Sequence, residues 1–481
     1  MNTPIQRFSI ILFSFCASIL HAQSYHAING SPFAGSTSMY TNPASTINSV
    51  YKWDITLFST QLTISNSSFI INKASLLHFD SANAQITNGN GNRYFQAAFD
   101  INLLNLQFKL DKKSALGFGL RGRTYNCLRS SPIIYNESII TLHDFLHANN
   151  TTPYFEGYAT HAGWVEANFN YSRLLIDNDH EKLSGGITIG LQKSISGAYG
   201  NIERISYSEQ LNNATNQNEY SLTGGSITSS YSSNYDLINN ANSITPSVIK
   251  SFLNDSKSSV NLNVGMEYLI KNLYTDPNSL NNSNYDWKFG FSIMDIGKNS
   301  FNPANGSFTA SNPYSNITDS ILIQQLSNAG SLRLVRDTLA KSFKVIDSLK
   351  SSFTISNPTR IIFSVDKNWG NHFYLNAELS VNLFSSQQQE KLRTTEINLL
   401  TITPRWEQKK LGIYMPMQYN SNGQLWIGGA AKLGPLLIGV HNLDFIKWFK
   451  TGSQTLNGGF YLILNIHPFG SKIKERDCPQ P

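Results

Sequence analysis

Between residues 373 and 383 apolar and polar positions alternate. Phe373, Leu375, Ala377, Leu379, Val381 and Leu383 take one phase; Tyr374, Asn376, Glu378, Ser380 and Asn382 take the other. Successive side chains of a strand point to opposite faces, so this segment is a strand with one greasy wall and one polar wall. The pattern recurs. Val260, Leu262, Val264, Met266 and Tyr268 oppose Asn261, Asn263, Gly265 and Glu267, and Val165, Ala167, Phe169 and Tyr171 oppose Glu166, Asn168, Asn170 and Ser172. Soluble sandwiches alternate too, so length and connectors must decide. Many segments run to about 10–16 residues, where soluble strands centre on about 5–6 and a tilted membrane strand needs ~9–11.

Fourteen strands are expected: 52–64, 95–110, 114–126, 160–174, 183–204, 257–271, 285–297, 355–366, 372–384, 395–407, 410–419, 423–432, 435–441 and 457–467. Short connectors (111–113, 177–182, 367–371, Gln408, Gly434) alternate with long ones (65–94, 127–159, 205–256, 298–354, 442–456). Short turns on one side, long loops on the other and an even strand count define an outer-membrane barrel. Residues 272–284 are long for a turn and 420–422 short for a loop. The fold class is therefore all-β, a transmembrane antiparallel β-barrel of about 14 strands.

Some strands slip phase. Bulges are expected at Leu103-Leu104 and near Leu399-Leu400, and Pro404 and Pro416 suit a bulge or a strand end. Asp295 would face lipid on strict alternation; a bulge there would turn it inward. The long loops carry helical periodicity over Ser138–His147 and over Ile317–Leu349, expected as amphipathic helices at the barrel mouth. The 205–256 connector is expected to be loosely ordered or to form a hairpin.

Composition agrees. Of 481 residues, 40% are hydrophobic and 14% charged, against roughly 25% charged in ordinary soluble domains. With Phe 28, Tyr 22 and Trp 7, the chain is not a disordered one. Mean hydropathy is -0.24. No apolar run past the N-terminus reaches the ~18 residues of a spanning helix, which excludes a helical membrane protein. The net charge of +6 is scattered; the densest basic run, Lys472–Arg476, lies in the tail, so no nucleic-acid partner is expected.

Arg7 precedes an apolar run from Phe8 to Leu20 that ends in Leu20-His21-Ala22. This is a signal peptide over 1–22, cut after Ala22, and it addresses the chain to the outer membrane of a Gram-negative cell. Cys16 leaves with it. Cys127 and Cys478 remain, expected on opposite sides and unpaired.

The charged residues on the polar phase are the candidate site: Arg121, Arg123, Glu166, Glu267, Asp295, Arg360, Asp366, Glu378 and Arg405. They would line a polar conduit, latch a gate, or fill a wide interior, where unpaired buried charge is costly. His143 and His147 stand one helical turn apart, a spacing that can bind a metal, but no third ligand is evident and the pair is expected to lie on a loop helix. Trp287, Trp406 and Trp426 near strand ends are expected in the interfacial girdle. There is no HExxH, GxSxG, P-loop or dinucleotide fingerprint; neither enzyme activity nor a metal or other cofactor is expected.

Three further pieces carry a resemblance: Tyr40-Thr41-Asn42-Pro43-Ala44 before the first strand, Ser292-Ile293-Met294-Asp295-Ile296-Gly297 ending one strand, and Asn357-Pro358-Thr359-Arg360-Ile361 opening another. In this order, with the helical stretch 317–349 between the last two, they resemble the FadL-type superfamily of outer-membrane barrels. Within it they are most similar to an uncharacterised Bacteroidota family, domain of unknown function 5723. The resemblance implies an N-terminal segment, 23–50, plugging the lumen, with Asn42, Pro43 and Ala44 as its hatch. The chain would divide into signal peptide 1–22, plug 23–50, barrel 51–469 and periplasmic tail 470–481. It also implies one of two functions: passage of hydrophobic small molecules, or an adaptor role in protein secretion or surface-protein attachment, as in type 9 secretion shuttles. Expected partners are outer-membrane lipids, and either a hydrophobic ligand or a secretion or surface protein. A greasy pocket in the lumen would favour passage; a packed interior under a shaped outer surface would favour the adaptor.

Overall fold

The computed structural model describes residues 26–74, 83–213, 216–239, 245–271, 285–326, 332–339, 341–383, 392–449, 452–455 and 457–467. The expected signal peptide 1–22, the connector 272–284, the whole of the expected tail 470–481 with Cys478, and residues 23–25 of the N-terminal segment lie outside them. Fourteen strands close into an antiparallel barrel: β1 Trp53–Asn66, β2 Gly89–Lys109, β3 Ser114–Tyr135, β4 Phe155–Asp177, β5 Glu181–Asn212, β6 Ser258–Lys271, β7 Tyr285–Phe301, β8 Arg360–Gly370, β9 Phe373–Asn382, β10 Leu399–Glu407, β11 Leu411–Tyr414 continued by Met417–Asn420, β12 Leu425–Ile427 continued by Gly429–Leu433, β13 Leu436–Val440 and β14 Phe460–Ile466. Each strand pairs with its neighbours, and β14 closes on β1 with Ile55 opposite Ile466. All fourteen expected strands are present.

Alternation is what closes this barrel. Outward positions such as Phe169, Leu191, Val260, Phe363 and Ile438 are exposed apolar side chains, and the intervening Asn168, Gln192, Asn261 and Thr188 are buried. Greasy outside and polar inside suit a wall between lipid and lumen. Among the described residues no helix is long and apolar enough to cross a membrane. The β2–β3 register shifts between Asn102 and Leu104, the bulge expected there. No shift occurs at Leu399-Leu400: β10 pairs regularly with β9 through both residues. Leu399 is instead an inward apolar residue packed with Ile397 and Trp426. The apparent slip is a greasy patch inside the outer mouth, and the same packing takes Trp426 out of the girdle. Trp287 stays outward. Pro404, Met415-Pro416 and Gly428 lie on three successive strands and interrupt the ladder in one line; Met415 N bonds Pro404 O and Gly428 N bonds Pro416 O.

Short turns face the periplasm in such barrels, so the long connectors form an outer cap. Strand β5 has 32 residues, about three times what a bilayer requires. Its upper half pairs with Gln217–Tyr231, which pairs with Phe308–Pro313, which pairs with Phe343–Ser348. The helical reading of 317–349 is thus correct only in part. Helices span Asp319–Leu326 and Leu332–Leu339, but Phe343, Val345 and Ile346 extend as a strand, where β-branched residues fit the open side of a sheet. Ile205, Leu222, Phe308, Ile317, Leu322, Leu339 and Phe343 form the apolar core of the cap. The expected loop helix is α1, Leu142–Ala148, capped by Thr141, whose side chain accepts from Asp144 N while Asp144 answers with a reciprocal bond. Cys127 is buried on β3.

Candidate functional site: a lumen filled by its own chain

Residues 26–50 contain no Lys, Arg, Asp or Glu. A 3-10 turn over Gly35–Tyr40 and a short helix over Ser45–Asn48 fold them into a compact body. This inner segment bonds strands all round the ring, so it lies in the lumen. Asn29 Nδ2 donates to Glu378 (3.0 Å), Ser31 Oγ to Glu407 (2.8 Å), Ser36 N to Asp54 (2.6 Å), Ser45 Oγ to Glu267 (2.6 Å) and Asn48 Nδ2 to Glu267 (2.7 Å). Neutral donors thereby solvate four wall carboxylates, which would otherwise carry a heavy desolvation cost.

The Asn42-Pro43-Ala44 turn sits deepest in the wall. Asn42 Oδ1 accepts from Ala44 N (3.0 Å), and its Nδ2 donates to Met266 O on β6 (2.9 Å) and Phe291 O on β7 (3.4 Å). Asn170 Nδ2 on β4 donates to Pro43 O (3.1 Å). The neighbouring strands make room: a Cβ on Gly186 would strike the Pro43 carbonyl, and one on Gly265 would strike the Asn42 side chain.

Above this segment lies an ionic knot. Arg121 Nε is 2.7 Å from Glu166, and its other nitrogens face Asp100 at 3.6 Å and Asp295 at 3.9 Å. Arg123 grips both oxygens of Asp295 and faces Glu166 at 3.8 Å and Glu396 at 3.6 Å. Arg360 pairs with Glu396 and stands 3.3 Å from Asp295. Three guanidiniums thus meet four carboxylates, in a region almost wholly out of solvent. Asp295 reaches the knot because the β6–β7 register shifts between Ile293 and Ile296 and its own φ is 61°, a left-handed conformation that Asp tolerates better than most residues. Tyr40 of the inner segment lies under Arg121, ring centroid to Cζ 4.2 Å, so the two levels touch.

A third level, aromatic, closes the outer end. Arg123 lies over the Trp164 ring at 5.2 Å, and Trp164 and Tyr125 pack with Ala98, Ala162, Phe301, Phe353 and Ile355. Phe353 and Ile355 come from the end of the long insert, so the cap reaches down into the barrel.

Of the expected site residues, Arg121, Arg123, Glu166, Asp295 and Arg360 meet in the knot. Arg405 and Asp366 pair lower down at 2.8 Å, where Arg405 also holds Glu407 at 2.8 Å. Glu267 and Glu378 stand apart from both groups and receive the inner segment. Asp100, Glu396, Glu407, Asp54 and Lys288 are partners that sequence reasoning missed. Lys288 and Asp100 lie on the inward phase and were legible there; Glu396 fell within the expected strand 395–407, but β10 begins at Leu399 and leaves it in a connector where strand phase does not apply. Among the described residues no group of three or more His, Cys, Asp or Glu is arranged to hold a metal.

Fold and lumen together define an outer-membrane-type β-barrel whose interior is occupied by its own N-terminal segment and ion pairs. The chain belongs to the family of unknown function DUF5723, whose model matches residues 43–441. Solved structures to which the chain is similar include a Pseudomonas aeruginosa FadL homologue (10% identity, 93% of this chain and 97% of that one, TM-score 0.41). Others are the TodX monoaromatic hydrocarbon channel deltaS2 mutant (10%, 90% and 95%, 0.44) and the Ralstonia pickettii toluene transporter TbuX (9%, 90% and 92%, 0.38). No curated protein matches in sequence.

Proposed function

We propose that the folded barrel is closed to solutes and acts as a cell-surface adaptor for protein secretion or surface-protein attachment, working through its outer cap. One observation supports this above others: the chain fills its own lumen at three successive levels. Two voids beside the inner segment each have room for about one water molecule, and their walls include Ser31, Ser45, Asn48, Glu267 and Lys288. Most of the residues that line them are polar, and expelling the segment would remove the donors it gives to four carboxylates. The cap offers the opposite, a sheet rising out of the barrel with its own apolar core. The test exploits the cap's geometry. Leu349 N bonds Ser307 O at 3.0 Å, so residues 308–348 can be replaced by a short linker. Crosslinking in native outer membranes is expected to show a stoichiometric protein companion that this excision removes, with the barrel still folded. A companion retained after excision, or none with the intact chain, rejects the adaptor.

A second reading is gated passage of a hydrophobic small molecule, favoured by the inner segment's lack of Lys, Arg, Asp and Glu. Such a segment leaves by breaking hydrogen bonds rather than ion pairs. Deleting residues 24–46 should then change uptake or conductance; unchanged permeability removes this reading.

A further inference from the structure

His143 and His147 stand at i and i+4 on α1, on one face of the helix. Each ring is pinned from behind. His143 Nδ1 is 2.8 Å from an oxygen of Asp319, a carboxylate 1% exposed, and His147 Nδ1 is 2.8 Å from the Tyr220 hydroxyl. Asp319 is itself fixed, since its other oxygen accepts from Tyr220 N at 3.1 Å. Both rings flank Tyr220 at the same tilt of 57°.

These contacts assign the tautomers. An ionised carboxylate only accepts, so His143 donates from Nδ1 and its Nε2 keeps a lone pair. The Tyr220 hydroxyl, 2.8 Å from His147 Nδ1, offers an oxygen that can accept from that nitrogen. Nε2 of His147 then also carries a lone pair. A ligating imidazole characteristically donates its other N–H to a carboxylate or similar group, which fixes the ring and raises its basicity. This pair has that backing on both rings, supplied by Asp319 and by the Tyr220 hydroxyl. Imidazole nitrogen suits nickel, copper and zinc.

We propose that His143 and His147, through their Nε2 atoms, form a surface site on the outer cap for a divalent ion of the nickel–copper–zinc group. The described residues supply two imidazoles and no third ligand, so water completes the shell. A bound ion would clamp α1 and stiffen the contact between α1 and the Asp319–Leu326 helix, which His143 and Asp319 bridge.

The probe is Cu2+ alone, titrated into the full chain in detergent micelles and followed by electron paramagnetic resonance. The expected result is one equivalent coupled to two nitrogens. That equivalent should disappear in the His143→Ala/His147→Ala double variant, and Asp319→Asn should weaken it by about 10–100-fold. A double variant that binds the same number of equivalents with the same midpoint overturns the site, and an unchanged midpoint in Asp319→Asn overturns the orienting role of Asp319. Should the variants lose the cap's fold, the unmutated chain still decides: a spectrum without two-nitrogen coupling refutes the site.

Discussion

Asp295 is the carboxylate that all three knot arginines face, and Asp295→Asn is the sharpest perturbation of it. The exchange keeps size and shape, and Asn adopts a φ of 61° as readily as Asp, so the backbone is undisturbed. What disappears is charge, from between the gripping Arg123, Arg360 at 3.3 Å and Arg121 at 3.9 Å. Breaking one partner out of a buried ion pair costs about 3–5 kcal/mol. The Asn oxygen still accepts one bond from Arg123, so the expected loss sits near the lower end, about 3 kcal/mol. With a urea slope of about 1–3 kcal/mol/M, the unfolding midpoint should fall by roughly 1.5 M. The assay is urea unfolding of the refolded barrel, followed by tryptophan fluorescence and by the migration of unheated samples on gels. A double-mutant cycle with Arg123→Gln should give a coupling of at least about 1 kcal/mol. A loss below about 0.5 kcal/mol, the scale of an exposed pair, would refute the knot as a stabilised ionic core.

Three further outcomes follow from the same structure. Gly265→Val drives a side chain into Asn42 and Pro43; overpacking of about 1–3 kcal/mol should free residues 26–50 for proteolysis while the barrel stays folded, and unchanged protection of that segment would contradict the socket. Trp426→Ala should cost about 3–5 kcal/mol, because the ring is buried against Ile397 and Leu399, whereas the outward Trp287→Ala should cost far less; equal losses would return Trp426 to the girdle. Thr141→Ala removes the cap of α1 and should cost about 1 kcal/mol locally. Hydrogen exchange should show faster exchange in Leu142–Ala148 with the barrel's midpoint unmoved.

The barrel was legible because its wall separates two solvents. Lipid outside and a polar lumen inside impose period two on every strand, and that pattern survives in the sequence of β9 as clearly as in the structure. Inward charges were legible for the same reason: Arg121, Arg123 and Glu166 needed only phase. Asp295 needed a break in phase as well, and the Asp-Ile-Gly after Met294 supplied the hint. Which charges meet was not legible. Arg123 on β3 meets Asp295 on β7 and Glu396 in a connector only across the lumen, over separations of 172 and 273 residues, and no local pattern encodes that. Phase also misleads where the wall meets cap or loop. Leu399 and Trp426 are apolar yet inward, because near the outer mouth the lumen is packed with greasy groups. Phe343 and Ile346 satisfied a helical period, but the free partner strand Phe308–Pro313 drew them into a sheet. The two imidazoles of α1 were visible as a spacing; Asp319 and Tyr220, which orient them, lie 176 and 73 residues away in sequence.

Single-channel recording in planar bilayers decides whether the barrel is closed by its own chain. No steady conductance is expected from the full chain, and none after deletion of residues 26–46, because the knot and the aromatic level still obstruct the lumen. Steady open-channel conductance from the intact chain would contradict that closure.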